Sequence, residues 1–278
     1  MPSILIKQKY IYYTDDAQSE GNSPRTTTVF IHGLGSSSCF YKTIIPSLTK
    51  ITRCIALDTR GSGQSPLGGL HQSIDSIARD VASLLDALGV QEVFVVGHSM
   101  GGTVASALAA TDKRVKGVVL LGPINPSPQL TDVFEKRGNA VHKGSSGPMI
   151  HWDGLESLAN SVPIAATGSK AGSLHHAFIR SMILGTSVEG YISLCGVIAD
   201  AKAPDYASIR TPLLIVAGGD DKTAPLAGCE AILKAYGTSN ADKCLEIVDG
   251  VGHWHCVEDP ESIAQKVGSF IERSSTAP

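Results

Sequence analysis

The sequence predicts an α/β fold: a mostly parallel central sheet flanked by helices, with a helical cap inserted near its middle. Three observations carry that expectation. Strand-like and helix-like segments alternate through most of the 278 residues. One strand-to-helix junction, Gly97-His98-Ser99-Met100-Gly101, has the form G-x-S-x-G. The alternation lapses between about residues 126 and 203 and then resumes. A chain of this length can bury a large core, so residues 1–278 are expected to form one domain with the cap as an insertion.

Taken in order, Lys7 to Tyr13 and Thr27 to Ile31 bracket a polar, turn-rich stretch and are expected to pair as antiparallel strands. Arg53 to Leu57 reads as the next strand. Ile74 to Leu88 reads as a helix, because Ile74, Ile77, Ala78, Val81, Leu84, Leu85 and Leu88 share one stripe at the helical period. Ser73 is its expected N-cap and Gly89 its stop. The β-branched and aromatic run Glu92 to Val96 suits a buried strand, and the small residues Thr103 to Ala110 suit a helix. Lys116 to Leu121 is a further strand, leaving through the Pro/Gly-rich Gly122 to Pro128. After the cap come a strand (Pro212 to Ala217), a helix (Ala227 to Tyr236), a strand (Lys243 to Val248) and a helix (Pro260 to Arg273).

Composition narrows the function classes. Hydrophobic content of 42% and charge of 18% describe an ordinary globule, and a net charge of −3 offers no basic footprint for nucleic acid. No apolar run approaches the roughly 20 residues of a membrane span. The N-terminus lacks the pattern of a signal peptide and the C-terminus carries no lipidation or retention signal. Six scattered cysteines without a C-x-x-C pair are expected to be free thiols in a cytoplasmic protein. His253-Trp254-His255-Cys256 lacks a second ligand pair at zinc spacing, and Gly61-Ser62-Gly63 is only a fragment of a dinucleotide loop. Neither a metal nor a cofactor is expected.

The G-x-S-x-G junction, set between a strand and a helix, reads as a nucleophile elbow. Gly97 and Gly101 leave room for a turn so tight that the Ser99 hydroxyl stands proud of the sheet. Met100, opening the helix, aims its amide at whatever Ser99 attacks. A serine hydroxyl needs a base, and the base needs a carboxylate to hold its tautomer and stabilise its charge. Two loops at the ends of late strands supply them: Gly218-Gly219-Asp220-Asp221-Lys222-Thr223-Ala224-Pro225 and Asp249-Gly250-Val251-Gly252-His253-Trp254. Asp221 is preferred as the acid for its D-x-x-x-P spacing to Pro225, with Asp220 the neighbouring alternative. His253 is preferred as the base because Gly252 precedes it at a strand end; His255 is its rival. His98 reads as structural, pointing away across the elbow. A second oxyanion donor is expected at the Leu34 N–H, within His32-Gly33-Leu34-Gly35 after the strand Val29-Phe30-Ile31.

Together these residues resemble the α/β-hydrolase fold family. Asp58-Thr59-Arg60-Gly61, the Gly97 to Gly102 elbow and the run after the cap look most like 3-oxoadipate enol-lactonases. So do Arg180-Ser181-Met182-Ile183-Leu184, Glu189-Gly190-Tyr191, Cys195, Asp200 and Ile209-Arg210-Thr211-Pro212. The cap departs from that family around Lys136 to Met149. The resemblance implies a serine hydrolase that opens a small lactone or carboxylic ester through an acyl-enzyme. A substrate carboxylate would then need a cation, for which Arg180 is the candidate, with Trp152 and Trp254 as further substrate contacts. The alternatives are hydrolysis of a carbon–carbon bond flanked by carbonyls, or a ligand-sensing receptor that retains the triad.

Overall fold

The structure, a computed structural model, describes residues 3–6, 9–17, 26–69, 71–144 and 153–275. Its strands are β1 (Ser3–Ile6), β2 (Lys9–Asp16), β3 (Thr27–Ile31), β4 (Arg53–Leu57), β5 (Val93–His98), β6 (Val115–Leu121), β7 (Leu213–Gly218) and β8 (Lys243–Val248). They form one sheet in the order β1-β2-β4-β3-β5-β6-β7-β8. From β4 through β8 every pairing is parallel. Every residue of the central β5 is buried. A strand covered on both faces cannot alternate polar with apolar, which is why Val93-Phe94-Val95-Val96 is an unbroken apolar run.

The opening of the sheet differs from the sequence expectation. β2 pairs antiparallel with β1 and with β4, whereas β3 lies parallel between β4 and β5. The reason is the crossover after β3: the 3₁₀ turn Ser38–Thr43 and the short α1 (Ile45–Leu48) return the chain so that β4 runs alongside β3 in the same direction. β2 then closes the far side of β4 and never meets β3.

Helices cover the sheet in two groups. α2 (Ile74–Ala87) packs on α3 (Met100–Thr111), and α10 (Pro260–Ser275) packs near α1; both α3 and α10 contact β6. α2 starts as its sequence dictates: Ser73 and Ser76 exchange side-chain-to-backbone hydrogen bonds, and Gly89 ends the helical segment at φ +67°. α8 (Leu226–Ala235) and the single-turn α9 (His255–Glu258) complete the frame.

Among the described residues, four helices stand between β6 and β7: α4 (Pro128–Gly144), α5 (Asp153–Ala165), α6 (Ser173–Leu184) and α7 (Val188–Ala199). They pair as α4 with α7 and α5 with α6, and lie over the carboxyl ends of the parallel strands. Main-chain hydrogen bonds are among the contacts that seat this cap. The Ser187 N–H donates to the Gly61 carbonyl in the loop after β4 (3.3 Å), and the His253 N–H in the loop after β8 donates to the Ala166 carbonyl (2.7 Å). Among the described residues no single helix is long and apolar enough to cross a membrane.

Candidate active site

Parallel strands deliver their carboxyl-end loops to one edge, so the loops after β5, β7 and β8 meet although their sequences lie far apart. Ser99 stands between β5 and α3 at φ 55°, ψ −120°, and among the described residues it alone, glycine aside, has positive φ. Such a conformation costs about 1–3 kcal/mol and persists only where its surroundings over-determine it. Here they do. The Ser99 N–H donates to the Leu121 carbonyl (3.0 Å), and its own carbonyl accepts from Gly102 N–H (2.9 Å). A Cβ at Gly97 would collide with the Gly101 carbonyl, and one at Gly101 with the Ile31 carbonyl, so neither position admits a side chain.

Ser99, His253 and Asp221 form one hydrogen-bonded chain. His253 Nδ1 lies 2.9 Å from Asp221 Oδ2, and His253 Nε2 lies 2.9 Å from Ser99 Oγ. The other Asp221 oxygen accepts the Thr223 and Ala224 amides at 2.8 Å each. Burial alone would raise this carboxyl, but the His253 imidazole, the hydrogen bonds to it and the two amides outweigh burial and hold it at about 2. An ionised Asp221 only accepts, so Nδ1–H must donate to it. Nε2 is thereby left bare to accept the Ser99 O–H.

The two rivals from the sequence have other partners. Asp220 is exposed, and its Oδ2 accepts from the Ser169 amide and hydroxyl (2.9 and 3.0 Å). His255 is fully buried, and its Nδ1–H donates to the His253 carbonyl (2.9 Å). His98 does not turn away from the site as expected. Its Nε2–H donates to that same carbonyl (2.7 Å), and its ring stacks on Phe40 at 4.3 Å. The expectation failed because the sequence could not show that the residue before the nucleophile faces the loop that bears His253.

Leu34, Ser99, His253 and Trp254 line a cavity of about 120 Å³ together with Phe134 and Arg137 of α4, Ile183 of α6 and Tyr191 of α7. Its size is near the roughly 150 Å³ of a protein cavity that admits benzene, so it suits a small molecule. Met100 opens α3, and its amide is among the first four of a helix, which have no intrahelical acceptor. Arg180 is not on the cavity wall: its guanidinium pairs with Glu156 and donates to Asn160 (2.9 Å), both on α5, in a pair about 40% exposed on either side. Trp152 lies outside the described residues.

The cation that does line the cavity is Arg137, which the sequence reading missed. Its guanidinium lies 4.9 Å from the Phe134 ring centroid, and among the described residues it forms no salt bridge. Burial pushes the Tyr191 phenol up to about 12 despite the Arg137 charge beside it. A signal was available: Phe134 and Val141 are buried, and Arg137 stands three residues after one and four before the other, on the same helical face. Among the described residues no group of His, Cys, Asp and Glu is arranged to hold a metal ion.

Comparison with known proteins bears on the fold. The family profile described as the alpha/beta hydrolase fold matches residues 27–151. A provisionally assigned carbamate hydrolase, RutD, from a Caulobacter strain is 29% identical over 257 residues, covering 90% of this chain and 91% of the relative. The 2-hydroxy-6-oxo-2,4-heptadienoate hydrolase of Pseudomonas putida is 27% identical over 253 residues, covering 87% and 88%. The crystal structure of the enol-lactonase from Burkholderia xenovorans superposes with a TM-score of 0.85 at 25% identity, covering 98% of this chain and all of that one. The chain therefore has the α/β-hydrolase fold, and its sequence resembles the α/β-hydrolase family, enol-lactonases among them.

Proposed function

We propose that the protein is a cofactor-independent serine hydrolase that cleaves a small lactone or carboxylic ester through an acyl-enzyme. The observation that carries this reading is the unbroken hydrogen-bonded chain from Ser99 Oγ through His253 to Asp221, opening onto a small, partly open cavity. Ser99 Oγ attacks the carbonyl carbon while His253 Nε2 takes its proton, and Asp221 stabilises the resulting imidazolium. The carbonyl oxygen gains negative charge and is received by the Leu34 and Met100 amides. His253 then delivers its proton to the leaving oxygen, which in a lactone stays tethered to the acyl group. The same imidazole next activates water, which releases the acid and restores Ser99.

Arg137 supports a narrower substrate class. A guanidinium facing a small cavity, with no carboxylate pairing it among the described residues, favours a ligand that brings its own negative charge. We read the substrate as a small acidic ester or lactone, oriented by Arg137 with its carbonyl over Ser99. The resemblance to the Pseudomonas hydrolase supports a second reading, in which the same triad cleaves a carbon–carbon bond beside a carbonyl. Four of the six free cysteines are buried, which suits a reducing cytoplasmic setting.

The test is a panel of short lactones, linear esters and vinylogous diketones, each as free acid and as neutral analogue, with products identified by mass. Turnover of acidic lactones or esters that vanishes in Ser99→Ala is expected. Turnover unchanged in that variant, or confined to diketones, would overturn the ester and lactone reading.

A further inference from the structure

The backbone around His253 is held by a residue the proposed chemistry does not use. Glu258, on α9, is 5% exposed, and its carboxylate accepts hydrogen bonds from three main-chain amides. Two flank His253: the Gly252 N–H reaches Oε2 (2.8 Å) and the Trp254 N–H reaches Oε1 (2.8 Å). The third is the Gly168 N–H, which shares Oε2 at 2.7 Å and belongs to the loop between cap helices α5 and α6. One buried carboxylate thus joins the cap to the amides of the two residues that flank His253.

A second observation makes the junction more than a shared hydrogen bond. The cap loop and the His253 loop touch backbone to backbone. A Cβ at Gly168 would come within 2.7 Å of Gly252 N, and one at Gly252 within 2.7 Å of the Ala166 carbonyl oxygen, so neither position has room for a side chain. That carbonyl accepts the His253 N–H itself, while the His253 carbonyl is gripped by His98 and His255. A shift of the cap loop has no slack in which to dissipate before it reaches His253.

We infer that Glu258 is a positioning residue: it fastens the α5–α6 loop of the cap to the amides flanking His253, so that the seat of the cap sets where the imidazole stands. Glu258 touches neither Ser99 nor Asp221 and acts only through this backbone. The inference rests on the reading of His253 as the base. It makes the cap part of the proton-transfer geometry and not only a wall of the substrate cavity.

Glu258→Gln keeps the shape of the side chain but replaces one acceptor oxygen with a donor, leaving at least one of the three amides facing an N–H. For the best ester of the panel, kcat per titrated active site is expected to fall about 10²-fold, the cost of a misplacement of roughly 1 Å, with KM held. A fluorophosphonate titrates those sites, so a smaller folded fraction is separated from a slower site. A wild-type kcat per site overturns the inference, as does a loss carried wholly by fewer sites. If Glu258→Gln does not fold, Gly168→Ala carries the same prediction, because its methyl pushes the cap loop away from Gly252; a wild-type kcat there also overturns it. A readout free of turnover is the proton resonance of His253 Nδ1–H in protein labelled with ¹⁵N-histidine. It is expected to shift or broaden in Glu258→Gln, and an unmoved resonance contradicts the coupling. Should the resonance move while the wild-type protein reacts with neither ester nor fluorophosphonate, the hydrolase reading fails and the coupling stands.

Discussion

The sheet edge and the cap solve different problems, and they left different marks in the sequence. At the sheet edge each reactive group sits on a loop whose backbone is determined locally. Ser99 needs Gly97 and Gly101 beside it, Asp221 needs the Thr223 and Ala224 amides two and three residues on, and His253 follows a glycine at a strand end. The chemistry therefore comes with short spacings that can be read along the chain. The cap instead selects what enters, and it does so with side chains from several helices that converge only in space. Its two arginines make the contrast plain. Arg137 and Arg180 both lie on cap helices, yet one faces the cavity and the other is neutralised at the surface by Glu156.

The contrast predicts that damage to the sheet edge is indifferent to substrate and damage to the cavity-lining side chains of the cap is not. Ser99→Ala is expected to lower kcat by about 10⁴- to 10⁶-fold on acidic and neutral esters alike, with an unchanged circular dichroism spectrum. Equal loss on both substrate types supports the division; a loss confined to one would break it.

A smaller effect comes from the buried imidazoles under the sheet edge. Burial lowers His255 from its ordinary 6.5 to about 4 against the opposing pull of Asp221, and it lowers His98 and His32 as well. A depressed folded-state value means that the unfolded chain binds the extra proton first. Stability is then full above about pH 6.5 and declines as the pH falls toward 4, with His255 alone accounting for roughly 3 kcal/mol. The Asp221 carboxyl, held at about 2 against 3.8, adds a second loss below that window. Urea unfolding across the range measures both. A stability flat from pH 7 to pH 4 would show that these imidazoles are not held neutral.

Arg137→Met sharpens the comparison from the cap side. Losing a charge-assisted contact should cost about 10- to 100-fold in kcat/KM on the acidic ester and little on its neutral analogue. Arg180→Ala should do least, since an exposed ion pair contributes about 0–1 kcal/mol, and kcat/KM is expected to stay within about twofold. An inverted order, with Arg180 the sensitive residue, would return substrate recognition to the outer face of the cap.

Much of the molecule was legible before its structure. The helix from Ile74 announced itself by period, cap and stop, and Ser99, Asp221 and His253 were singled out by spacing; the fold then sets the His253 ring 2.9 Å from each of the other two. What stayed hidden depends on distance in the chain. β3 has the same apolar composition whether its neighbour runs parallel or antiparallel, so its partner was misread. His98 carries no local signal, because the carbonyl it holds belongs to a loop that the fold alone brings to it; Glu258 stands within six residues of Gly252 and Trp254, but its third amide, that of Gly168, reaches it only through the fold. Arg137 was visible as a charge on a buried helical face, but the sequence does not say what that face looks onto.

The proposed chemistry stands or falls on where an acyl-like probe lodges. Protein incubated with a fluorophosphonate and digested should carry one adduct, on the peptide containing Ser99, and Ser99→Ala should carry none. An adduct on any other residue, or a wild-type protein that stays unlabelled, would contradict Ser99 as the nucleophile.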